Sequence, residues 1–249
     1  MSAPAWLTAA PIAHRGLHDR ANGIVENTLT ALDAAADRGF AIECDVQLTV
    51  DGDAVVFHDF VLDRLTGETG PVAERTGADL ARIAIAGTAS DRIPTLPAFL
   101  DRLAGRVPLV LEIKSRFNGD MRLTDRTCEV LRSYRGPVCV KSFDPRVVAH
   151  LRRIAPGLTR GIVAESRHDD PSYGRLDPDE KRSLGELLHF AETQPHFLSW
   201  KVSDLPAGAP LLARLLGRLP VMAWTVRTAQ DRERAAQHAD QMVFEGFVP

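Results

Sequence analysis

The chain has 249 residues, of which 45% are hydrophobic and 25% charged, the balance of a soluble globular protein. Its 30 basic and 33 acidic residues give a net charge of -3, without a basic run, so we expect no nucleic-acid partner. Three widely spaced cysteines exclude a disulfide framework and a structural zinc site. Neither a signal-peptide pattern nor an apolar run of roughly 20 residues is present, so we predict a cytoplasmic protein without a transmembrane segment.

Short apolar runs alternate with amphipathic stretches along the whole chain. Eight runs are predicted strands: Pro11–His14, Ala41–Leu48, Pro108–Lys114, Pro137–Phe143, Thr159–Glu165, His196–Val202, Pro220–Val226 and Gln241–Glu245. Helical segments lie between them, and in the first of these we expect Asn27 to cap the start and Gly39 to mark the end. Eight β/α units in about 250 residues predict an α/β fold, a TIM (β/α)8 barrel in one domain over residues 1–249.

Two segments depart from this alternation. Residues 51–94 add an extra strand, "DAVVFHD", and a polar stretch, which we interpret as a small insertion after strand 2. The charged stretch Arg167–Ser183 follows the fifth strand, at the face where barrel enzymes hold their active sites. We predict that this stretch acts as a lid.

The second strand carries two carboxylates on one face. Because side chains alternate along a strand, Glu43 and Asp45 face the barrel interior, opposite Cys44. Glu112 and Lys114 repeat the pattern in "LEIK". Unpaired buried carboxylates cost several kcal/mol, and one lysine poorly explains three of them. An oxygen-only set suits Mg²⁺ or Ca²⁺, whereas a solvent-facing edge strand is the less favoured explanation because the pattern recurs.

Two histidines frame this strand. His14 ends the first strand in "AHRG", and His58 ends the extra strand in "VVFHD". Histidine titrates near neutrality, so two of them beside an inferred metal site suggest an acid and base pair, although a lone strand-end histidine is usually structural. Weaker candidates, which core packing or capping also explains, are Glu26, Asn27, Lys141, Ser142, Lys201 and Trp224.

Several catalytic motifs are absent. The sequence contains no G-x-x-x-x-G-K-[ST], G-x-G-x-x-G, G-x-S-x-G or H-E-x-x-H motif. Cys44 lies on the apolar face of its strand, so we do not interpret it as a nucleophile.

The spaced pattern "AHRG…ENTLTAL…IECDVQLTVDGDAVVFHDFVLDRLTG…IPTL…LEIK…SFD…WTV" resembles the glycerophosphodiester phosphodiesterase family. The resemblance runs from about Ile12 to the C-terminus and is most specific between His14 and Gly67. It implies a TIM barrel with a small insertion after the second strand. It also implies roles for individual residues: Glu43, Asp45 and Glu112 as ligands of one divalent cation, His14 and His58 as the acid/base pair, Arg15 and Lys114 at the phosphate, Glu26 beside the metal and Trp224 at the pocket wall.

One segment departs from the family pattern. The family commonly ends its last strand with a T-D-x-P-like segment, where this chain has "MVFEGFVP", so Glu245 replaces the aspartate or the loop differs. The expected activity is metal-dependent hydrolysis of a small-molecule glycerophosphodiester to sn-glycerol 3-phosphate and an alcohol. Three alternatives stay open: a lysophospholipase D-type reaction, a non-catalytic barrel that binds phosphorylated ligands, and another metal-dependent barrel hydrolase. The pattern carries no signal for oligomeric state.

Overall fold

Nine strands form in the computed structural model, which describes residues 3–249. They are β1 (Ile12–Ala13), β2 (Ala41–Leu48), β3 (Ala54–Val56), β4 (Leu109–Ile113), β5 (Val138–Ser142), β6 (Thr159–Ala164), β7 (Phe197–Lys201), β8 (Val221–Val226) and β9 (Gln241–Phe244).

All nine strands belong to one sheet, in the order β1-β9-β8-β7-β6-β5-β4-β2-β3. β1 also pairs with β2, so the eight strands other than β3 form a closed barrel. β2 pairs in parallel with β4, and the series from β5 to β9 is parallel as well. β3 runs antiparallel to β2 and lies between β2 and β4 in the chain. This strand order is that of a TIM barrel with an insertion after the second strand, which confirms the predicted fold class.

Helices alternate with the strands, as the sequence predicts. They are α1 (Leu29–Ala36), α2 (Gly77–Leu80), α3 (Leu96–Leu103), α4 (Arg122–Leu131), α5 (Pro145–Ile154), α6 (Pro178–Gly185), α7 (Phe190–Thr193), α8 (Gly208–Leu215) and α9 (Ala229–His238). α3 shows why they form: the Thr95 side chain caps it, and its buried residues recur at helical spacing, at Leu96, Phe99, Leu100 and Leu103. None of the helices in the described residues is long and apolar enough to cross a membrane.

The start of α1 differs from expectation. Thr28, not Asn27, is the N-cap, because its side chain accepts a hydrogen bond from the Ala31 N–H. Thr28 has extended backbone angles, as an N-cap requires, whereas Asn27 lies in the left-handed region with φ 58°. The end of the helix follows prediction more closely, since Gly39 has φ 75° just after the last turn.

The chain divides into two compact units. We call Ala13–Lys114 with Met121–Val138 the N-terminal unit, and Met1–Ile12, Ser115–Asp120 and Cys139–Pro249 the C-terminal unit. The single domain expected from the sequence stays a prediction. Within the N-terminal unit, β2 and β4 are buried along nearly their whole length.

The segment after β2 has a core of its own. We call this set the insertion core: Val25, Val55, Phe57, Leu62, Leu65, Val72, Leu80, Ile85 and Ile93. Most of its members lie between β2 and α3, so apolar contacts fix this segment in place beside the sheet.

In the C-terminal unit, the stretch Arg167–Ser183 packs through aromatic and aliphatic side chains. Tyr173 and Leu176 join Phe117 and Leu184 in a small buried cluster. The Tyr173 ring also meets the His168 ring edge-on, with 4.7 Å between the ring centroids. These contacts order the stretch, and its lid role stays a prediction.

Candidate active site

Three carboxylates converge in the N-terminal unit. Glu43 and Asp45 alternate with apolar residues of β2, and the parallel register places Asp45 beside Glu112 of β4. All three side chains are buried, and one oxygen from each lies within 4.8 Å of the others. The structure therefore brings together the three residues that the sequence singles out as metal ligands.

The donor chemistry of this cluster fits a hard divalent cation. Carboxylate oxygens are the ligands that Mg²⁺ and Ca²⁺ prefer, and only oxygen atoms make up the cluster. Like charges at this separation in a buried place repel one another, and a dication among them offsets that repulsion. The acidic cluster is therefore compatible with a divalent metal.

Lys114 lies against two of the three carboxylates. Its Nζ is 2.9 Å from Glu112 Oε1 and 3.2 Å from Asp45 Oδ1. Burial lowers the pKa of the Lys114 ammonium, but the charges of Asp45 and Glu112 outweigh that effect and raise the pKa above its ordinary value. Lys114 is thus held as a cation at the edge of the cluster.

Asp45 is held ionised. Burial raises the pKa of Asp45, whereas the positive charge of Lys114 lowers it. The Arg15 charge and a hydrogen bond from the Asn27 amide act in the same direction, so the pKa lies well below its ordinary range. Asp45 is therefore an anion in the folded protein at neutral pH.

The "AHRG" turn places two further candidates at the cluster. His14 is buried, and its Nε2 lies 3.9 Å from Glu43 Oε2. Arg15 has φ 56°, which lets its backbone N–H donate to Glu43 Oε2 at 3.1 Å. Gly16 follows with φ 81°, and a Cβ there would lie 2.8 Å from the backbone of Ala31, so only glycine fits.

Asn27 also supports the cluster. Its amide nitrogen donates to Asp45 Oδ2 at 2.9 Å, and its amide oxygen accepts from the Asp45 N–H at 3.3 Å. The left-handed backbone of Asn27 directs the side chain to β2, away from the start of α1. Of the two sequence interpretations of Asn27, its contacts fit a place beside the carboxylates and not the cap of α1.

His58 follows β3 and is oriented by its neighbour in sequence. Its Nδ1 lies 2.7 Å from Asp59 Oδ1. Asp59 and Glu26 both accept from Arg64, and Glu26 also accepts from Arg15 Nη1 at 2.6 Å. The sequence reasoning gave no role to Asp59 or Arg64, although both stand in the quoted stretch "HDFVLDRLTG".

Both carboxylates of this network are ionised. Burial raises the pKa of Glu26, but the hydrogen bonds from Arg64 and the charge of Arg15 have the larger, opposite effect and bring the pKa down to about 2. For Asp59, burial again raises the pKa, and the hydrogen bonds from His58 and Arg64 bring it far below its ordinary value. Each can therefore only accept hydrogen bonds near neutral pH.

Trp224 lies in the C-terminal unit, as do the weaker candidates Lys141, Ser142 and Lys201. The Trp224 indole N–H donates to the Ser199 carbonyl at 2.8 Å, and its ring meets Phe143 edge-on at 5.4 Å between centroids. Lys201 pairs with the buried Glu165 at 2.5 Å. Glu245 pairs with Arg227 at the same distance, so the departure at the last strand end forms an ion pair.

Comparison with known proteins gives a consistent result. Residues 14–245 match the model of the glycerophosphoryl diester phosphodiesterase family. Glycerophosphodiester phosphodiesterase 1 of Homo sapiens is 31% identical over 255 residues, which cover 91% of this chain and 74% of that protein. The glycerophosphodiester phosphodiesterase of Caldanaerobacter subterraneus subsp. tengcongensis is 33% identical over 175 residues, or 66% of this chain and 70% of that protein.

Solved structures share the fold. A phosphodiesterase from Oleispira antarctica, in complex with the product sn-glycerol-3-phosphate, superposes with a TM-score of 0.75 at 22% identity, covering 95% of this chain and 92% of that one. A glycerophosphodiester phosphodiesterase from Thermotoga maritima gives a TM-score of 0.70 at 22% identity, covering 94% of each chain. Because the family model matches residues 14–245, nearly the whole of this chain, the chain belongs to the glycerophosphoryl diester phosphodiesterase family, a family of enzymes.

Proposed function

We propose that the protein hydrolyses glycerophosphodiesters to sn-glycerol 3-phosphate and an alcohol, with one divalent cation and the histidine pair His14 and His58. The observation that carries the proposal is the buried convergence of Glu43, Asp45 and Glu112 in a member of this family. The related phosphodiesterase that holds sn-glycerol-3-phosphate as product supports the same product here.

In this proposal the three carboxylates hold Mg²⁺ or Ca²⁺. A bound dication stabilises negative charge on phosphoryl oxygens and so lowers the barrier to displacement at phosphorus. The carboxylates supply the binding energy, and Asn27 fixes the orientation of Asp45 through its two hydrogen bonds.

Arg15 and Lys114 bind the phosphate. Both are cations at the edge of the cluster, where a phosphodiester anion needs compensation for the charge that grows on its oxygens. Arg15 has the planar fork that matches two phosphate oxygens, and Glu26 holds that fork from the other side. The role of Trp224 at the pocket wall, which the resemblance implies, stays a prediction.

The histidines move the proton. One accepts a proton from the attacking hydroxyl, and the other donates one to the oxygen of the departing alcohol. When the attacking oxygen is the neighbouring hydroxyl of the glycerol, a phosphorus–oxygen bond to that hydroxyl forms as the bond to the alcohol breaks. The cyclic phosphate that results is then opened by water. An internal hydroxyl gains from proximity, which explains a requirement for glycerol.

The test is hydrolysis by the purified protein of glycerophosphocholine, glycerophosphoethanolamine and a lysophospholipid, with Mg²⁺, with Ca²⁺ and with chelator. We expect chelator-sensitive release of glycerol phosphate from the first two. His14→Ala should abolish release while the thermal unfolding curve stays that of the wild type, and Cys44→Ala should retain turnover. Full turnover in chelator would contradict the assigned role of the carboxylates.

The lysophospholipid arm separates the two substrate classes. Faster release from the lysophospholipid than from glycerophosphocholine would replace the proposed substrate by the longer one. The cytoplasmic location stays a prediction from the sequence.

A further inference from the structure

Arg64 bridges two carboxylates that come from different parts of the N-terminal unit. Its Nε donates to Asp59 Oδ2 at 2.6 Å, and its Nη2 donates to Asp59 Oδ1 at 3.0 Å. Towards Glu26, Nη1 donates to Oε2 at 2.9 Å and Nη2 to Oε1 at 2.8 Å. One guanidinium thus makes a two-point contact with each carboxylate, a geometry that lysine cannot reproduce.

On one side the bridge leads to His58. Asp59 Oδ1 lies 2.7 Å from His58 Nδ1, and an ionised carboxylate can only accept at that contact. Nδ1 therefore carries a proton, which it donates to Asp59. Because Arg64 fixes both Asp59 oxygens, it also fixes the plane of the carboxylate that orients the ring.

On the other side the bridge leads to Arg15. Glu26 Oε1 accepts from Arg15 Nη1 at 2.6 Å, and Arg15 Nε lies 3.4 Å from Asp45 Oδ2. Glu26 precedes α1 in the chain and Arg64 lies in the insertion after β2, so the contact joins segments 38 residues apart. A chain of contacts therefore runs from His58 to Arg15 through one guanidinium.

We propose that Arg64 is a positioning residue for the reaction: it holds Asp59 and Glu26 in one array, so that the His58 ring and the Arg15 guanidinium keep fixed orientations relative to each other. This inference rests on the proposed function for its kinetic consequences. Arg64 itself touches neither the carboxylate cluster nor, in this proposal, the substrate. Its side chain is 43% exposed, and the proposal rests on the two-point geometry of its contacts.

The kinetic experiment compares Arg64→Met, Asp59→Asn and Glu26→Gln, singly and in pairs, on glycerophosphocholine. Residues that orient functional groups typically contribute about 10–100-fold to activity. We expect Arg64→Met to lower kcat by about that factor, because Asp59 no longer holds the His58 ring in a fixed orientation. We also expect it to raise KM, because Glu26 no longer holds the Arg15 guanidinium.

The paired variants show through which residue each effect passes. If Arg64 acts through Asp59, the Arg64→Met/Asp59→Asn variant has a kcat no lower than that of Asp59→Asn alone. If it acts through Glu26, the Arg64→Met/Glu26→Gln variant has a KM no higher than that of Glu26→Gln alone. Full additivity of the changes in kcat and in KM would overturn the proposal.

Two further variants separate geometry from charge and from folding. Arg64→Lys keeps the charge but not the fork, and we expect most of the kinetic loss to persist; wild-type kinetics in this variant would refute the geometric role. Arg102→Met is the matched control, because Arg102 also makes a two-point contact with a carboxylate, that of Asp33, and the Arg102 side chain is 59% exposed. It should keep wild-type kcat and KM.

A spectroscopic measurement tests the inference without catalysis. Nitrogen chemical shifts of His58 should report a single tautomer with the proton on Nδ1 in the wild type and a mixture in Arg64→Met. Unchanged His58 shifts in Arg64→Met would overturn the proposal whatever the kinetics. If the wild-type protein fails to hydrolyse glycerophosphodiesters, the proposed function fails, and this measurement still decides the positioning role.

Discussion

Two regions of the molecule bury carboxylates next to a lysine, and they do so differently. In the C-terminal unit, the buried Glu165 accepts from the Tyr173 hydroxyl at 2.9 Å and from Lys201 at 2.5 Å, one donor for each oxygen. In the N-terminal unit, Glu43, Asp45 and Glu112 converge on one another, and Lys114 lies against two of them. In the first arrangement each oxygen of one carboxylate has its own donor. In the second, three carboxylates lie together and two of them share one lysine.

The difference shows which features of a carboxylate cluster are compatible with a cation site. Burial of a carboxylate and a nearby lysine are common to both regions, so neither feature is diagnostic. What distinguishes the N-terminal unit is the convergence of three carboxyl groups, with one oxygen of each within 4.8 Å of the others. Removing a satisfied carboxylate should therefore cost stability, and removing a converging one should cost activity.

The largest expected effect is on activity. Glu112→Gln keeps the size of the side chain but removes one carboxylate from the cluster. A bound dication lowers the reaction barrier by several kcal/mol, and this variant should lose much of that stabilisation. We expect a loss of about 1,000-fold in kcat/KM for glycerophosphocholine, equivalent to about 4 kcal/mol. Steady-state kinetics with saturating Mg²⁺ measure it, and a variant within threefold of the wild type would show that convergence does not mark the site.

The next effect is on stability and depends on pH. The arginines Arg15 and Arg64 lower the pKa of Glu26 to about 2 from its ordinary 4.5. Because the folded value is the lower one, Glu26 stabilises the fold above pH 4.5, and this contribution disappears as the pH falls from 4.5 towards 2. Glu26→Gln should therefore cost about 3 kcal/mol at pH 7.

Urea unfolding of Glu26→Gln at pH 7, 5, 4 and 3 checks this prediction. The difference from the wild type should be constant between pH 7 and 5 and shrink at lower pH. A difference that grows on acidification would have the wrong sign for a carboxylate held by two arginines.

The third effect is the response to the ion. A ligand that binds only the folded state stabilises it by about 2.7 kcal/mol at 100 times its Kd. Mg²⁺ or Ca²⁺ should raise the unfolding free energy of the wild type by this amount and that of Glu112→Gln by much less. Thermal unfolding with and without the ion measures the difference, and equal shifts in both proteins would separate Glu112 from ion binding.

The smallest effect comes from the satisfied carboxylate. Glu165→Gln keeps an acceptor for Tyr173 but loses the charge that pairs with Lys201, whose side chain is 42% exposed. A partly exposed pair of this kind is worth about 1 kcal/mol or less. Chemical denaturation should show that modest loss, with an ion-induced stabilisation equal to that of the wild type. A reduced response to the ion would mean that the two regions are not independent.

The periodicity of the sequence was enough to predict the fold and the three carboxylates. The period of two in β2 and β4 placed Glu43, Asp45 and Glu112 on one face, and strand counting led to the barrel. Periodicity could not predict the role of Arg64, because its contact with Glu26 spans 38 residues and depends on how the insertion folds. Asn27 shows a local failure: the cap rule fits both Asn27 and Thr28, and only the backbone angles decide between them.

The insertion core has a consequence for how this site can change. The carboxylates lie on β2 and β4, whereas His58, Asp59 and Arg64 belong to the segment after β2, which contributes eight of the nine residues of the insertion core. We expect substitutions in the insertion core to shift His58 while the acidic residues keep their place on the sheet. Under the proposed mechanism, natural selection could therefore adjust proton transfer by His58 and ion affinity at the carboxylates separately.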